Sequence, residues 1–141
     1  MPTITDFFAT AKEALALDPR LTYRRAEPLA SEPQLASQRL QAALAGELTS
    51  LVYTFAQYHQ AHEGIPEAYD INVALDGNHQ PQAVLYTENV YIHLFNEVSA
   101  KEAQRFGLSL ADWQAQYRTE LALRSDSEMV IIEHFRVLYP F

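Results

Sequence analysis

Residues 71–87 read INVALDGNHQPQAVLYT, and this stretch decides the fold class. Ile71, Val73 and Leu75 alternate with Asn72 and Ala74. That period of two sends successive side chains to opposite faces of a strand. Asp76-Gly77-Asn78 follows, residue types that reverse a chain because they tolerate unusual backbone angles and bond to their own amides. QAVLYT (82–87) then supplies a returning strand. The reading is a β-hairpin near residues 70–87.

Working outward toward the C-terminus, ENVYIHLFNEV (88–98) is rich in strand formers at VYIHLF. Val90, Leu94, Val98 and Phe106 nevertheless also keep helical spacing. Ser99 and Glu102 form a capping box, in which each side chain satisfies the other's free amide. This favours a strand ending near Val98 and a short helix running to Gly107. Ser109 and Asp112 open a further helix carrying Trp113, Tyr117 and Leu121. The tail EMVIIEHFRVLYPF (128–141) is dense in β-branched and aromatic residues and reads as a last strand docked in the sheet. A buried helix is the alternative, because short apolar runs defeat periodicity. Segments 88–98 and 128–139 therefore stay open between strand and helix.

Toward the N-terminus, Thr3 or Thr5 caps a helix with Ile4, Phe7, Phe8, Ala11 and Leu15 on one side, ending before Asp18-Pro19. LTYRRAEPLASEPQ (21–34) reads as an irregular connection punctuated by Pro28 and Pro33. From Ser37 onward, Leu40, Leu44, Leu48, Leu51, Phe55, Tyr58 and His62 recur at steps of three and four, the apolar stripe of a helix. Gly46 would kink that helix, and Gly64 with Pro66 would stop it. The expected fold class is α+β: N-terminal helices followed by a small antiparallel sheet with interspersed helices, in a single domain over 1–141.

Composition sets the bounds on function. The chain has 141 residues, 48% hydrophobic and 20% charged, with no cysteine. That is globular, long enough for a core without staples, and free of thiolate chemistry. No apolar run reaches the length of a membrane span and the N-terminus lacks a signal-peptide pattern, so a cytoplasmic protein is expected. The formal charge of −8 is uneven: no Lys or Arg lies between Arg39 and Lys101, where seven acids and four of the five histidines fall. Nucleic-acid binding leans on cations that neutralise phosphates, so no nucleic-acid ligand is expected. Phosphate loops and nucleophile elbows are missing as well.

Tyrosines among carboxylates suit a surface that meets arginines. The leading expectation is a non-enzymatic, acidic, inhibitor- or immunity-type module or adaptor docking a basic protein partner. Its candidate contacts are Tyr58, Glu63, Glu67, Tyr69, Asp70 and Asp76, with no cofactor. The runner-up is a small metal-dependent, hydrolase-like enzyme. On a helix His59, His62 and Glu63, in YHQAHEG (58–64), would lie close enough to share a cation. The spacing departs from zincin patterns, and a helix end with His62 turned inward explains the same residues. A calcium loop at 70–78 fails because Ala74 and Leu75 occupy ligand and glycine positions. A homo-oligomer that buries tyrosines and the apolar C-terminus is the third reading.

Overall fold

The computed structural model describes residues 2–60 and 64–141, with only the backbone of 58–60. The chain runs α1 (Ile4–Ala14), β1 (Arg25–Pro28), α2 (Pro33–Leu44), β2 (Ser50–Thr54), α3 (Phe55–Gln60), β3 (Ile71–Leu75) and β4 (Pro81–Leu94). A 3₁₀ turn (Phe95–Glu97), α4 (Ala100–Gln104), α5 (Leu110–Glu120) and β5 (Met129–Tyr139) complete it. The five strands form one sheet in the order β1-β3-β4-β5-β2. β1 runs parallel to β3, and the other neighbours are antiparallel. The sheet curls into a half-barrel, leaving β1 and β2 as the two lips of an open seam.

This corrects the expected fold class. The core is built on a curled mixed sheet rather than on N-terminal helices followed by a small antiparallel sheet. The error starts in the stripe Leu40 to His62. α2 stops at Leu44 because Gly46, at φ 78°, takes the left-handed conformation that ends a helix, and the chain turns back. Beyond it, Ser50, Val52 and Thr54 are buried while Leu51 and Tyr53 are half-buried, the alternation of a strand. Ile132 and Val130 of β5 pair directly with Val52 and Thr54. Tertiary pairing thus overrides a coincidental three–four spacing. β1 was concealed by its brevity and by Pro28, which sits at its end opposite Leu75.

The hairpin turn is docked as well as bent. Asp76 accepts bonds from the amides of Asn78 (2.8 Å) and Gln80 (3.0 Å). The Gly77 amide donates to Ser37 Oγ of α2 at 3.0 Å. A Cβ on Gly77 would lie 2.2 Å from the Pro33 carbonyl oxygen, so only glycine lets the turn approach α2 so closely. Beyond the hairpin, β4 continues to Leu94 and pairs along its length with β5.

Both faces of the sheet are covered. Phe8 and Ala11 of α1 pack on Val73, Leu75 and Val84. The larger core joins Leu40 and Ala43 of α2, Phe106, Trp113 and Tyr117 beside α4 and α5, and Val130, Ile132 and Phe135 of β5. Thr3, Ser99 and Ser109 cap α1, α4 and α5 through their side-chain oxygens. Among the described residues, no helix is long and apolar enough to cross a membrane.

Candidate functional site

Alternation along β5 sends Val130, Ile132 and His134 to one face and Ile131, Glu133 and Phe135 to the other. Glu133 therefore points into the curl of the sheet, where it is 3% exposed. Thr87 of β4 donates its hydroxyl to Oε2 at 2.5 Å, and the Tyr53 hydroxyl of β2 donates to Oε1 at 3.1 Å. Burial pushes the Glu133 carboxyl above the ordinary glutamate range. The Thr87 and Tyr53 bonds and the charge of Arg25 draw it back, while Asp70 adds to the rise. A buried carboxylate costs stability unless it is bonded, and here each oxygen has one donor.

The carboxyl lies at the end of a passage. A narrow recess of about 20 Å³ reaches Glu133, Asn72 and Phe135. A wider cleft of about 210 Å³ opens outward past Arg39, Tyr117 and Glu120. The two share Glu27, Leu29, Leu51 and Tyr53, residues of the two lips and the turn after β1. At the mouth, Arg39 donates to Glu120 at 2.7 Å through one nitrogen and forms a second contact with it through the other. Arg39 also donates to the Leu29 carbonyl and sits 5.2 Å above the Tyr117 ring. Burial disfavours the Arg39 charge, but Glu120 and Tyr117 outweigh it and hold the guanidinium above its usual range. Burial also pushes the Tyr117 phenol up to about 12, with Arg39 pulling against it, so the ring stays neutral at the rim.

Most of the cations are occupied elsewhere. Lys12 donates to the Pro19 and Leu21 carbonyls, and Arg20 and Arg118 pair with Asp18 and Asp126. Arg24 binds Asp70 and the Ile65 carbonyl, Arg25 the Gly64 carbonyl, and Arg105 Ser50 and the Thr49 carbonyl. Arg136 lies over the Tyr86 ring. Among the described residues, Lys101 and Arg124 alone have no side-chain partner.

The sequence-derived site residues are dispersed. The side chains of Tyr58 and His59, and His62 and Glu63 entirely, lie outside the described residues, so the metal alternative falls there too. Glu67, Tyr69 and Asp70 sit where β3 begins, and Asp76 sits at its far end. Asp70 is held by Arg24 at 2.5 Å and by the Glu67 amide at 2.8 Å. Asp76 is held below the usual carboxylate range, most by the Gln80 amide, although burial opposes this. Tyr69 is 75% exposed, with its ring 6.2 Å from Tyr86. Sequence reasoning missed Glu133, Thr87 and Tyr53 as a group. The available signal was a carboxylate inside the apolar run VIIEHF (130–135), at an inward position of a strand.

The family model of the ASCH domain matches residues 28–139. Two crystal structures share the architecture. One is of a protein from Enterococcus faecalis V583, with a TM-score of 0.86 and 23% identity, covering 95% of this chain and 86% of that one. The other is an ASCH domain from Lactobacillus crispatus JV V101, with a TM-score of 0.81 and 21% identity, covering 94% of this chain and 93% of that one. No curated protein matches the chain. These findings overturn the inhibitor or immunity-type reading and its basic protein partner. The structure gives a physical reason: Asp70 and Asp76, offered as parts of a displayed anionic surface, are spent on Arg24 and on turn amides.

Proposed function

The chain belongs to the ASCH domain family, and on that premise we propose that it binds RNA, taking one unpaired base into the seam between β1 and β2. ASCH domains are thought to bind RNA, which conflicts with the expectation of no nucleic-acid ligand. The observation that carries the proposal is the Glu133 carboxyl, bonded by Thr87 and Tyr53 in the narrow recess of about 20 Å³ that shares its lining with the cleft. A cleft of about 210 Å³ lies below the roughly 300–1,000 Å³ of a drug-sized pocket. It suits one planar base better than a run of nucleotides. Sequence-specific RNA modules commonly work this way, reading splayed-out bases by stacking and hydrogen bonds to their edges. Tyr117 and the paired Arg39 guanidinium offer flat surfaces at the mouth, and Glu133 a hydrogen-bonding edge within. A cytoplasmic location and one domain over 1–141 belong to the same proposal.

The test is binding of short random-sequence single-stranded RNA, followed by fluorescence anisotropy. Glu133→Gln keeps the shape but alters the donor and acceptor pattern, and it is expected to weaken binding about tenfold, the scale of one charge-assisted hydrogen bond. Affinity equal to wild type would place the RNA elsewhere.

Recognition here depends little on phosphate. With Lys101 and Arg124 as the cations lacking a side-chain partner among the described residues, about two phosphates are neutralised. The affinity is then expected to fall only about sevenfold between roughly 50 and 200 mM salt, from a single-strand slope of about −0.7 per phosphate. A loss of a thousandfold over that range would mean that the internal ion pairs open to receive the backbone.

A hydrolytic role is the second reading, favoured by one specific observation. A carboxyl pushed above its ordinary range by burial is suited to proton transfer closer to neutrality. Mass spectrometry of RNA incubated with the protein separates the readings, since binding alone leaves the mass unchanged.

A further inference from the structure

β3 accompanies β4 only part of the way. Their register ends at Ile71 opposite Tyr86, and two bonds between Tyr69, Asp70 and Thr87 close it. From Glu88 to Leu94, β4 is paired with β5 alone among the described residues. This segment, ENVYIHL, holds one acid and no Lys, Arg or Pro.

Tyr91 stands on this free edge, opposite Ile132, and so on the face away from Glu133. It is 42% exposed. Its ring centroid lies 5.0 Å from that of His134 and 6.1 Å from that of His93. The imidazole that abuts it, its plane tilted 60° to the phenol ring, is pinned: Glu102 of α4 meets His134 Nε2 at 2.7 Å. Next to it, Ser50 pairs in register with His134 and accepts a bond from Arg105 Nε at 2.9 Å. An exposed ring on a fixed ring loses little freedom when a third flat group settles on it, which is what makes a stacking platform. Lys101, one of the two cations without a side-chain partner among the described residues, immediately precedes Glu102. The rims are polar, a phenol and two imidazoles, and the exposed aliphatic neighbour Ile92 faces the other way, opposite Ile131.

From this geometry we infer that Tyr91, backed by His134 and His93, stacks a base of single-stranded RNA on the outer face of the sheet, with Lys101 taking an adjoining phosphate. The inference rests on the RNA-binding reading and adds to it a second contact, on the opposite face from the cleft. The base–aromatic chemistry is indifferent to base identity, because every base has a π-face. The platform thus supplies affinity, and the cleft supplies the hydrogen-bonded reading of one base.

The test uses the full chain and a random-sequence single-stranded RNA, with one oligonucleotide carrying 2-aminopurine as a stacking reporter. Tyr91→Ala is expected to weaken binding about 5–150-fold, the range for one stacked base, and to abolish part of the 2-aminopurine quenching. Tyr91→Phe, which keeps the ring and the fold, is expected to restore both. Lys101→Ala is expected to flatten the salt dependence by about one phosphate. If Tyr91→Ala binds as wild type while Glu133→Gln is weakened, the platform is overturned and the cleft reading stands. If wild type binds no RNA, both fall. If Tyr91→Ala changes the sedimenting mass and leaves RNA affinity alone, the free edge is a protein interface and the platform is again overturned.

Discussion

Trp113→Ala is expected to lower the unfolding free energy by about 3–5 kcal/mol, the range for emptying a large aromatic site in a core. Trp113 is fully buried, stacked on Phe95 at 5.1 Å, with Phe106 and Tyr117 at 5.7 and 5.4 Å. It is the central ring by which α5 is fastened into the larger core. Its indole N–H has no hydrogen-bond partner among the described residues, and an unmet buried donor costs about 1–3 kcal/mol. Trp113→Phe removes volume and that unmet donor together. Chemical denaturation should therefore give it a much smaller loss than alanine. Equal losses for the two variants would mean that an aromatic ring packed on Phe95, Phe106 and Tyr117 adds nothing to stability at this position.

The second large effect is a dependence on pH. The Glu133 carboxyl is raised above its ordinary value of about 4.5 by burial. Below that value it is protonated in the folded and the unfolded chain alike, and the cost of its burial as an anion is absent. As pH rises between the unfolded and the raised folded value, the folded protein keeps a proton that the unfolded chain releases, so stability falls. Above the raised value the cost is complete, at about 1.4 kcal/mol for each unit of elevation. Glu133→Gln has no such proton. Unfolding curves of the two proteins are expected to coincide near pH 4 and to separate as pH rises, with the variant more stable at pH 7. A constant gap at every pH would show that Glu133 is not strained by its surroundings. A variant more stable yet weaker in RNA binding is the usual signature of a group retained for function at a cost in stability.

The sequence was legible where local chemistry and tertiary structure agree. Asp76 and Gly77 demand a turn, and they turn between β3 and β4. Ser99 and Ser109 demand helix starts, and both cap their helices. It was misleading where a residue's spacing fits two periods. Leu48, Leu51 and Phe55 satisfy a helical stripe, yet Leu51 belongs to a strand paired with Glu133 across β5. The half-barrel was not legible at all, because β1 and β3 pair across 47 positions (Arg25 with Asn72). Nothing in either segment names the other. The site was hidden for the same reason. Tyr53, Thr87 and Glu133 lie on three strands, and only the register of β2, β4 and β5 brings their oxygens together. The histidine motif at 58–64 drew the eye because it is compact in sequence, whereas the buried carboxyl is compact only in space.

The two lips of the seam are unequally fastened. β2 has five residues paired with β5, with Ser50, Val52 and Thr54 buried on one side and Leu51 and Tyr53 half-buried on the other. β1 has four paired residues and none of them is buried, although each lip has a single neighbour among the described strands. The cleft is consequently a jaw with one fixed and one yielding side. A ligand that widens the seam does so by lifting β1, against four residues of pairing, while the strand that carries Tyr53 keeps its place over Glu133.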